Sequence, residues 1–134
     1  MLSSDVYEYI IEAIRECLDG YSVKAYSYDT SIENSICICS GESPDNIKEL
    51  DDIFSIEQSM EHIVVNGSMN NNRKLFDDVI KLRKFLVNRL KSIKVGNKYI
   101  INTMPVGNTY ALGISNRGIP TADFSIIIKY SEVE

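Results

Sequence analysis

The chain opens with apolar residues at helical spacing. Five of them share one face, at i, i+4, i+7, i+8 and i+11: Val6, Ile10, Ala13, Ile14 and Cys17. Ser3 or Ser4 can cap the first backbone amides of this helix, and Gly20 follows at a position suited to end it. The pattern predicts a first amphipathic helix near residues 4–18.

Alternating side-chain character then predicts strands. Val23–Tyr28 alternates, and Ser35–Ser40 has the composition of a buried strand with turn signals at both ends. Ile53–Val65 is a longer alternating stretch, which would span about 40 Å if fully extended. That length predicts a bend, a bulge, or a part that pairs outside the domain. Closing strands are predicted at Tyr99–Thr103, Thr109–Ile114 and Phe124–Tyr130.

A second helix is predicted near residues 72–92, with its caps supplied by Asn70–Asn72 and its end by Gly96-Asn97. Its apolar stripe consists of Leu75, Val79, Leu82, Leu86, Leu90 and Ile93. Four further apolar residues widen this surface: Phe76, Ile80, Phe85 and Val87. A helix that covers one sheet needs only the stripe, so the additional residues predict a contact on a second side.

These elements predict one α+β domain over residues 1–134, a twisted, mainly antiparallel sheet with both helices packed on one face. Apolar residues make up 44% of the chain and charged residues 25%, which is typical of globular domains. No apolar run approaches the roughly 18–20 residues of a membrane span. The first residues lack the pattern of a signal peptide, and the three cysteines do not suggest a disulfide framework, so we expect synthesis and folding in the cytoplasm.

Charge is divided along the chain. Residues 1–62 hold 14 acidic and 3 basic residues, whereas residues 63–100 hold 9 basic and 2 acidic residues. Three interpretations are open: a solvated helix face, a nucleic-acid footprint, or a polar subunit whose basic region meets the acidic region of a neighbouring copy.

The sequence contains no recognisable catalytic motif. His62 is the only histidine, and it has no nucleophile beside it at a known spacing. Cys37 and Cys39 share one strand face and could join His62 as metal ligands, but their spacing is unlike that of paired zinc ligands. We therefore expect no enzyme activity, no cofactor and no bound metal.

The order of elements resembles that of small tail terminator or minor capsid proteins of tailed bacteriophages and phage-tail-like particles. Three features carry the resemblance: the opening helix with its strand pair, the strand Met60–Gly67 that leads into the long helix, and the ending from Met104-Pro105 through Asn116-Arg117-Gly118 to Phe124–Ile128. One departure is Asn66, which stands where the resemblance would place an arginine near the strand end.

The resemblance implies a structural virion protein of the tail or neck, present in the host cytoplasm during assembly. Its copies, typically six, would form a ring that caps the tail tube, stops its polymerisation and offers a docking surface to the head–tail connector protein. Its partners would be itself, the tail tube protein and the connector, with no membrane, and nucleic acid would only pass through the ring lumen. The alternatives are a head completion or neck adaptor protein and, from a different class, a small nucleic-acid-binding module that uses the basic helix over residues 73–98.

For the ring contact, the charge division predicts that the acidic stretch Glu42–Asp52, with Asp51 and Asp52, approaches the basic helix of the next copy. The basic residues at that contact would be Lys81, Arg83 and Lys84. Exposed ion pairs contribute about 0–1 kcal/mol each, so the affinity would have to come from apolar residues such as Phe76, Ile80 and Val87.

Overall fold

The structure of the chain is a computed structural model that describes residues 2–40, 49–50, 55–69, 71–115 and 117–132. Within these residues, two helices and seven strands follow one another in the order α1, β1–β4, α2, β5–β7. The predicted α+β class is confirmed. The bounds are α1 Ser4–Cys17, β1 Ser22–Ala25, β2 Ser35–Ser40, β3 Glu49–Leu50, β4 Ser55–Asn66, α2 Asn72–Arg89, β5 Ile93–Val95, β6 Lys98–Ile114 and β7 Pro120–Glu132.

Helix α1 lies where its periodicity predicts it, but its ends differ from the expectation. Ser3 occupies the N-cap position, yet its hydroxyl makes no capping hydrogen bond. The helix ends because Leu18 adopts an extended conformation, two residues before Gly20. Gly20 has a φ of +84° and turns the chain toward β1 after the helix has already ended.

The strands form one sheet in the order β1-β2-β4-β7-β6-β5, and β3 pairs with the start of β4. All pairs are antiparallel except β1 with β2, which are parallel. Strand β1 is shorter than predicted because Tyr26 has a φ of +61°, which ends the extended segment. The residues from Tyr26 to Asn34 then carry the chain back, so that Ser22 is paired with Ser35.

Strand β4 has two chemically different faces. Ile63 and Val65 face the core, and so do Ser59 and Glu61, which are buried as well. His62 lies on the opposite face and is only half-buried. Periodicity alone would have placed the serine and glutamate on a solvated face, so the core includes a carboxylate that the pattern did not indicate.

Helix α2 ends at Arg89, earlier than predicted. The helix ends because Leu90, at its C-cap, leaves the helical region with a φ of −91° and a ψ of 68°. Ser92 then has a φ of +54°, and Ile93 belongs to β5, where it pairs with Ile100. Gly96-Asn97 therefore forms the turn between β5 and β6 and does not terminate the helix. The assignment of Ile93 to the helical stripe was wrong, because Ile93 begins the short strand β5 and pairs there with Ile100.

Strand β6 is one long strand where two were predicted. Its register against β7 shifts between Ile100 and Asn102 and again between Val106 and Ala111. The second shift, called here the bulge of β6, falls where the sequence predicted a break between two strands. Pro105 is accommodated because β5 pairs only with the beginning of β6, which leaves the rest of that edge without a strand partner among the described residues.

Both helices contribute to one apolar core. Helix α2 packs against α1, β7, β6 and β4, and α1 packs against α2, β1 and β5. Neither helix, within the described part of the chain, is long and apolar enough to cross a membrane. The largest fully buried side chains are Tyr7, Ile10, Ile14, Ile36, Ile38, Ile63, Leu82, Leu86, Leu90, Ile100, Ile126 and Ile128.

Candidate subunit interface

Helix α2 is anchored to the body at both ends. Asn71 is its N-cap, and the side-chain oxygen of this residue accepts a hydrogen bond from the backbone N–H of Lys74 at 3.3 Å. At the other end, the buried Thr103 hydroxyl donates to the carbonyl oxygen of Leu90 at 2.8 Å. The predicted stripe is buried from Leu75 to Leu90, so the orientation of the helix on the sheet is well defined.

One flank of α2 exposes apolar surface. Phe76 is 41% exposed, and Ile80 and Val87 are half-buried. At 100° per residue, Ile80 and Val87 lie about 160–180° around the helix from Arg89. Arg89 contacts α1 through Glu16, so this flank, defined here as Phe76, Ile80, Lys84 and Val87 and called the α2 flank, faces away from α1.

The predicted basic residues of α2 separate into two kinds. Lys81 and Lys84 are exposed. Arg83 is only 9% exposed, and its guanidinium donates to the backbone carbonyl of Gly107 in β6. This position differs from the exposed one that the sequence suggested, because the bulge of β6 turns a carbonyl toward the helix. Arg83 thus connects α2 to the sheet, and Lys81 and Lys84 carry the exposed charge. The acidic partners proposed from sequence, Asp51 and Asp52, lie outside the described residues.

A shallow cavity adjoins the α2 flank. It has a volume of about 300 Å³ and lies between α2 and β6, with Lys84, Val87 and Pro105 among its lining residues. The cavity gives the flank a concave, partly apolar border, which is the kind of surface that a side chain of another molecule can enter.

Two other cations on the helix are already paired. Lys74 donates to Asp78 at 2.7 Å, and Asp78 also accepts the hydroxyl of Tyr21 at 2.6 Å. Arg89 bonds Glu16 at 2.9 Å and the Tyr9 hydroxyl at 3.1 Å. Together with Arg83, three of the six basic residues of α2 therefore form hydrogen bonds or ion pairs within the molecule.

The most unusual polar group is the buried Glu61, which sequence reasoning missed. Its carboxylate accepts hydrogen bonds from Tyr7 of α1 and, at 2.8 Å, from the hydroxyl of Ser59. Burial raises the pKa of this carboxyl, and the two hydroxyl donors act in the opposite direction. The pairing register of β4 turns Glu61 toward the core, and no local sequence pattern indicates this orientation.

His62 lies on the opposite face of β4, in a polar cluster. Its Nδ1 is 2.8 Å from the Ser125 hydroxyl and its Nε2 is 3.2 Å from the Asp123 carboxylate. Both ring nitrogens contact polar side chains of one neighbouring strand, β7, as in a structural histidine. Cys39 is the register partner of His62, but its thiol points to the backbone carbonyl of His62 at 3.8 Å.

Among the described residues, no group of three potential ligands is arranged to hold a metal ion. Comparison with the models of known protein families gives no match to this sequence. A search of curated proteins finds no significant similarity either.

Proposed function

We propose that this chain is a structural subunit that assembles with copies of itself into a ring, as the tail terminator proteins of phages and phage-tail-like particles do. The ring would cap the tail tube, end its polymerisation and present a docking surface to the head–tail connector. It would act in the tail or neck of the particle, without catalysis and without a cofactor.

The observation that carries the proposal is the α2 flank. A helix whose buried stripe is complete still exposes Phe76, Ile80 and Val87 next to Lys81 and Lys84. Apolar surface bordered by charge is the composition of a protein–protein contact. Burial of apolar area contributes about 25 cal/mol per Å², so these side chains can supply the affinity, and the lysines set orientation and encounter rate.

A neck adaptor or head completion protein would use the same kind of surface, and the two roles differ in the stage of assembly that fails without the chain. Loss of a tail terminator gives overlong tails. Loss of an adaptor gives tails of normal length that do not join heads. Electron microscopy of particles made without this chain distinguishes the two, and particles with normal tails joined normally to heads would refute both.

The nucleic-acid alternative has less support from the residues of α2. Arg83 is buried, and Lys74 and Arg89 pair with carboxylates, so fewer cations are available for phosphate than the sequence count suggests. A gel-shift titration with duplex and single-stranded DNA at increasing salt tests it. We expect no salt-dependent complex, whereas a complex that weakens steeply with salt and with Lys81→Ala would favour the nucleic-acid role.

A further inference from the structure

The α2 flank has an exposed aromatic side chain near one end and a cavity near the other. Phe76, close to the start of α2, is 41% exposed. Val87, about three turns further along, borders the cavity of about 300 Å³ whose lining also includes Lys84, Asn88 and Pro105. At 100° per residue, Phe76 and Val87 lie only about 20° apart around the helix, so both features face the same direction.

Two exposed side chains of opposite charge lie along the same direction of the helix. Asp77 stands at the border of the α2 flank, about 20° around the helix from Lys84, and both are exposed. Their seven-residue spacing separates them by about 10 Å along the helix axis, which is beyond ion-pair distance. Among the described residues, ion pairs engage Lys74, Asp78 and Arg89, but neither Asp77 nor Lys84. Each can therefore receive a partner from another molecule.

We propose that two copies of this chain pair through their α2 flanks, with the helices antiparallel about a two-fold axis. Phe76 of each copy enters the cavity beside Val87 of the other, and Asp77 of each lies opposite Lys84 of the other. The midpoints of these two residue pairs lie one residue apart, near the middle of the helix, so one axis satisfies both. Ile80 lies beside this axis and packs against its own equivalent.

Charge selects a second copy as the occupant of the flank. Two-fold symmetry makes both Asp77–Lys84 contacts attractive at once, and opposite charges of this kind fix the orientation of a helix pair. Arg73, the other exposed cation on this side, comes to lie beside the neutral Asn88. Lys81 is near the axis but projects about 100° around the helix from Ile80, so both copies direct it to solvent.

The neighbouring part of the sheet and the cavity are compatible with the same occupant. Strand β6 has no charged residue from Tyr99 to Ile114, so it adds no like charge beside the contact. A cavity of about 150 Å³ can hold a benzene ring. The cavity beside Val87, at about 300 Å³, is therefore large enough for the ring of Phe76 from the second copy.

A contact in which both copies use the same surface is isologous, so it closes with two copies and leaves no open site for a third. The pair covers the flank on which the proposed ring depends. Free protein would thus be held as a dimer, and a ring would form only where another contact displaces this one. The inference rests on the proposed function for that consequence alone, since the dimer itself does not depend on it.

The first test exchanges the two charges. Asp77→Lys and Lys84→Asp should each weaken dimerisation about tenfold or more in sedimentation equilibrium of the full chain, because each places like charges opposite each other twice. The double variant restores both pairs in reverse and should dimerise within about threefold of the wild type. An equimolar mixture of the single variants should form a heterodimer and nothing larger. Lys24→Glu, a reversal at an exposed position of β1, is the control and should dimerise normally.

The second test removes the aromatic ring. Phe76→Ala should weaken dimerisation about tenfold or more, because the cavity of the other copy loses the side chain that fills it. The melting temperature at a dilution where the wild type is monomeric should change little, since Phe76 is 41% exposed. Tyr28→Ala is the matched control, because Tyr28 is 65% exposed and lies outside α2. A wild type that stays monomeric up to about 1 mM, or a charge-exchanged double variant no better than the single variants, would overturn the pairing.

Failure of the pairing and failure of the tail role give different results. A dimer that responds to charge exchange, together with normal tails joined to heads in particles made without this chain, leaves the pairing and refutes the tail role. A monomeric wild type whose loss gives overlong tails refutes the pairing and supports the tail role.

Discussion

The hydroxyl of Tyr7 hydrogen-bonds both carboxylate oxygens of Glu61, at 3.0 and 2.9 Å, and so joins α1 to the centre of the sheet. The same hydroxyl lies 2.9 Å from the hydroxyl of Ser40 at the end of β2. One side chain of the first helix thus contacts two strands, β4 through the buried Glu61 and β2 through Ser40. Tyr7 also contacts Tyr26 at the surface, with ring centroids 4.7 Å apart.

Stability should depend on pH through Glu61. Burial raises the pKa of this carboxyl above its ordinary value of 4.5. At pH values between the unfolded-state and the folded-state pKa, the folded chain therefore holds a proton that the unfolded chain releases. This contribution is complete below about pH 4.5 and is lost as pH rises through the folded-state pKa. Glu61→Gln removes the ionisation, so in urea unfolding the variant should gain stability relative to the wild type as pH rises. A constant difference between them from pH ~4 to ~8 would contradict the assignment.

Tyr7→Phe tests the same network from the other side. The substitution keeps the ring and leaves Glu61 with one hydroxyl donor fewer, so we expect a loss of about 1–3 kcal/mol in the free energy of unfolding. The loss should grow as pH rises, because the ionised carboxylate needs the donor most. Tyr9→Phe is a suitable control, since the Tyr9 hydroxyl bonds Arg89 at an exposed site, and it should cost less than about 1 kcal/mol.

Truncation of Arg83 should lower the free energy of unfolding, whereas truncation of the neighbouring Lys84 should hardly change it. Arg83→Ala removes a buried side chain bonded to Gly107, and we expect it to lower the free energy of unfolding by about 2 kcal/mol. Lys84→Ala changes an exposed position and should leave stability within about 0.5 kcal/mol of the wild type. Chemical denaturation measures both, and equal losses would mean that the guanidinium does not hold the bulge of β6.

The turn between β5 and β6 should favour glycine at position 96. Gly96 has a φ of +60°, and a Cβ there would lie 2.7 Å from a carboxylate oxygen of Asp5. Gly118 also has a positive φ, of +78°, but open space around it. Gly118→Ala should therefore cost about 1 kcal/mol from backbone strain alone. Gly96→Ala should cost more, and Asp5→Ala should reduce the difference if the clash is its cause.

Asn66 ties the loop after β1 to the sheet. Its side-chain amide donates to the carbonyl of Asp29 at 2.6 Å and to the hydroxyl of Ser35 at 2.9 Å. Asn66→Asp would replace this donor by a buried acceptor, and we expect a loss of about 3 kcal/mol or more at neutral pH. The loss should shrink at about pH 4, where the new carboxyl can be protonated. Ser68→Ala removes a less buried hydrogen bond in the same turn and should cost about 1 kcal/mol.

Local pattern was sufficient for some elements. The apolar face of α1 and the strand Ser35–Ser40 lie where the sequence places them, because each buries one regular set of side chains. The cap at Asn71 could also be predicted from the sequence, since an Asn before a helical stripe is a strong signal for a helix start. The candidate residues Phe76, Ile80 and Val87 came from counting apolar positions beyond one stripe.

Other features depended on partners far away in sequence. The short strand β5 exists because Ile93 meets Ile100, and β6 remains one strand because β7 pairs on both sides of its bulge. Arg83 is buried because a carbonyl of Gly107 lies above its helix.

The sequence by itself determined the α+β composition, the amphipathic helices and the division of charge, since each follows from residues close together in the chain. Only the tertiary structure decided the parallel pairing of β1 with β2 and the burial of Glu61. Register and packing select among faces that the sequence leaves equivalent. A one-residue change in register would exchange the inner and outer faces of a strand, and no local pattern carries that information.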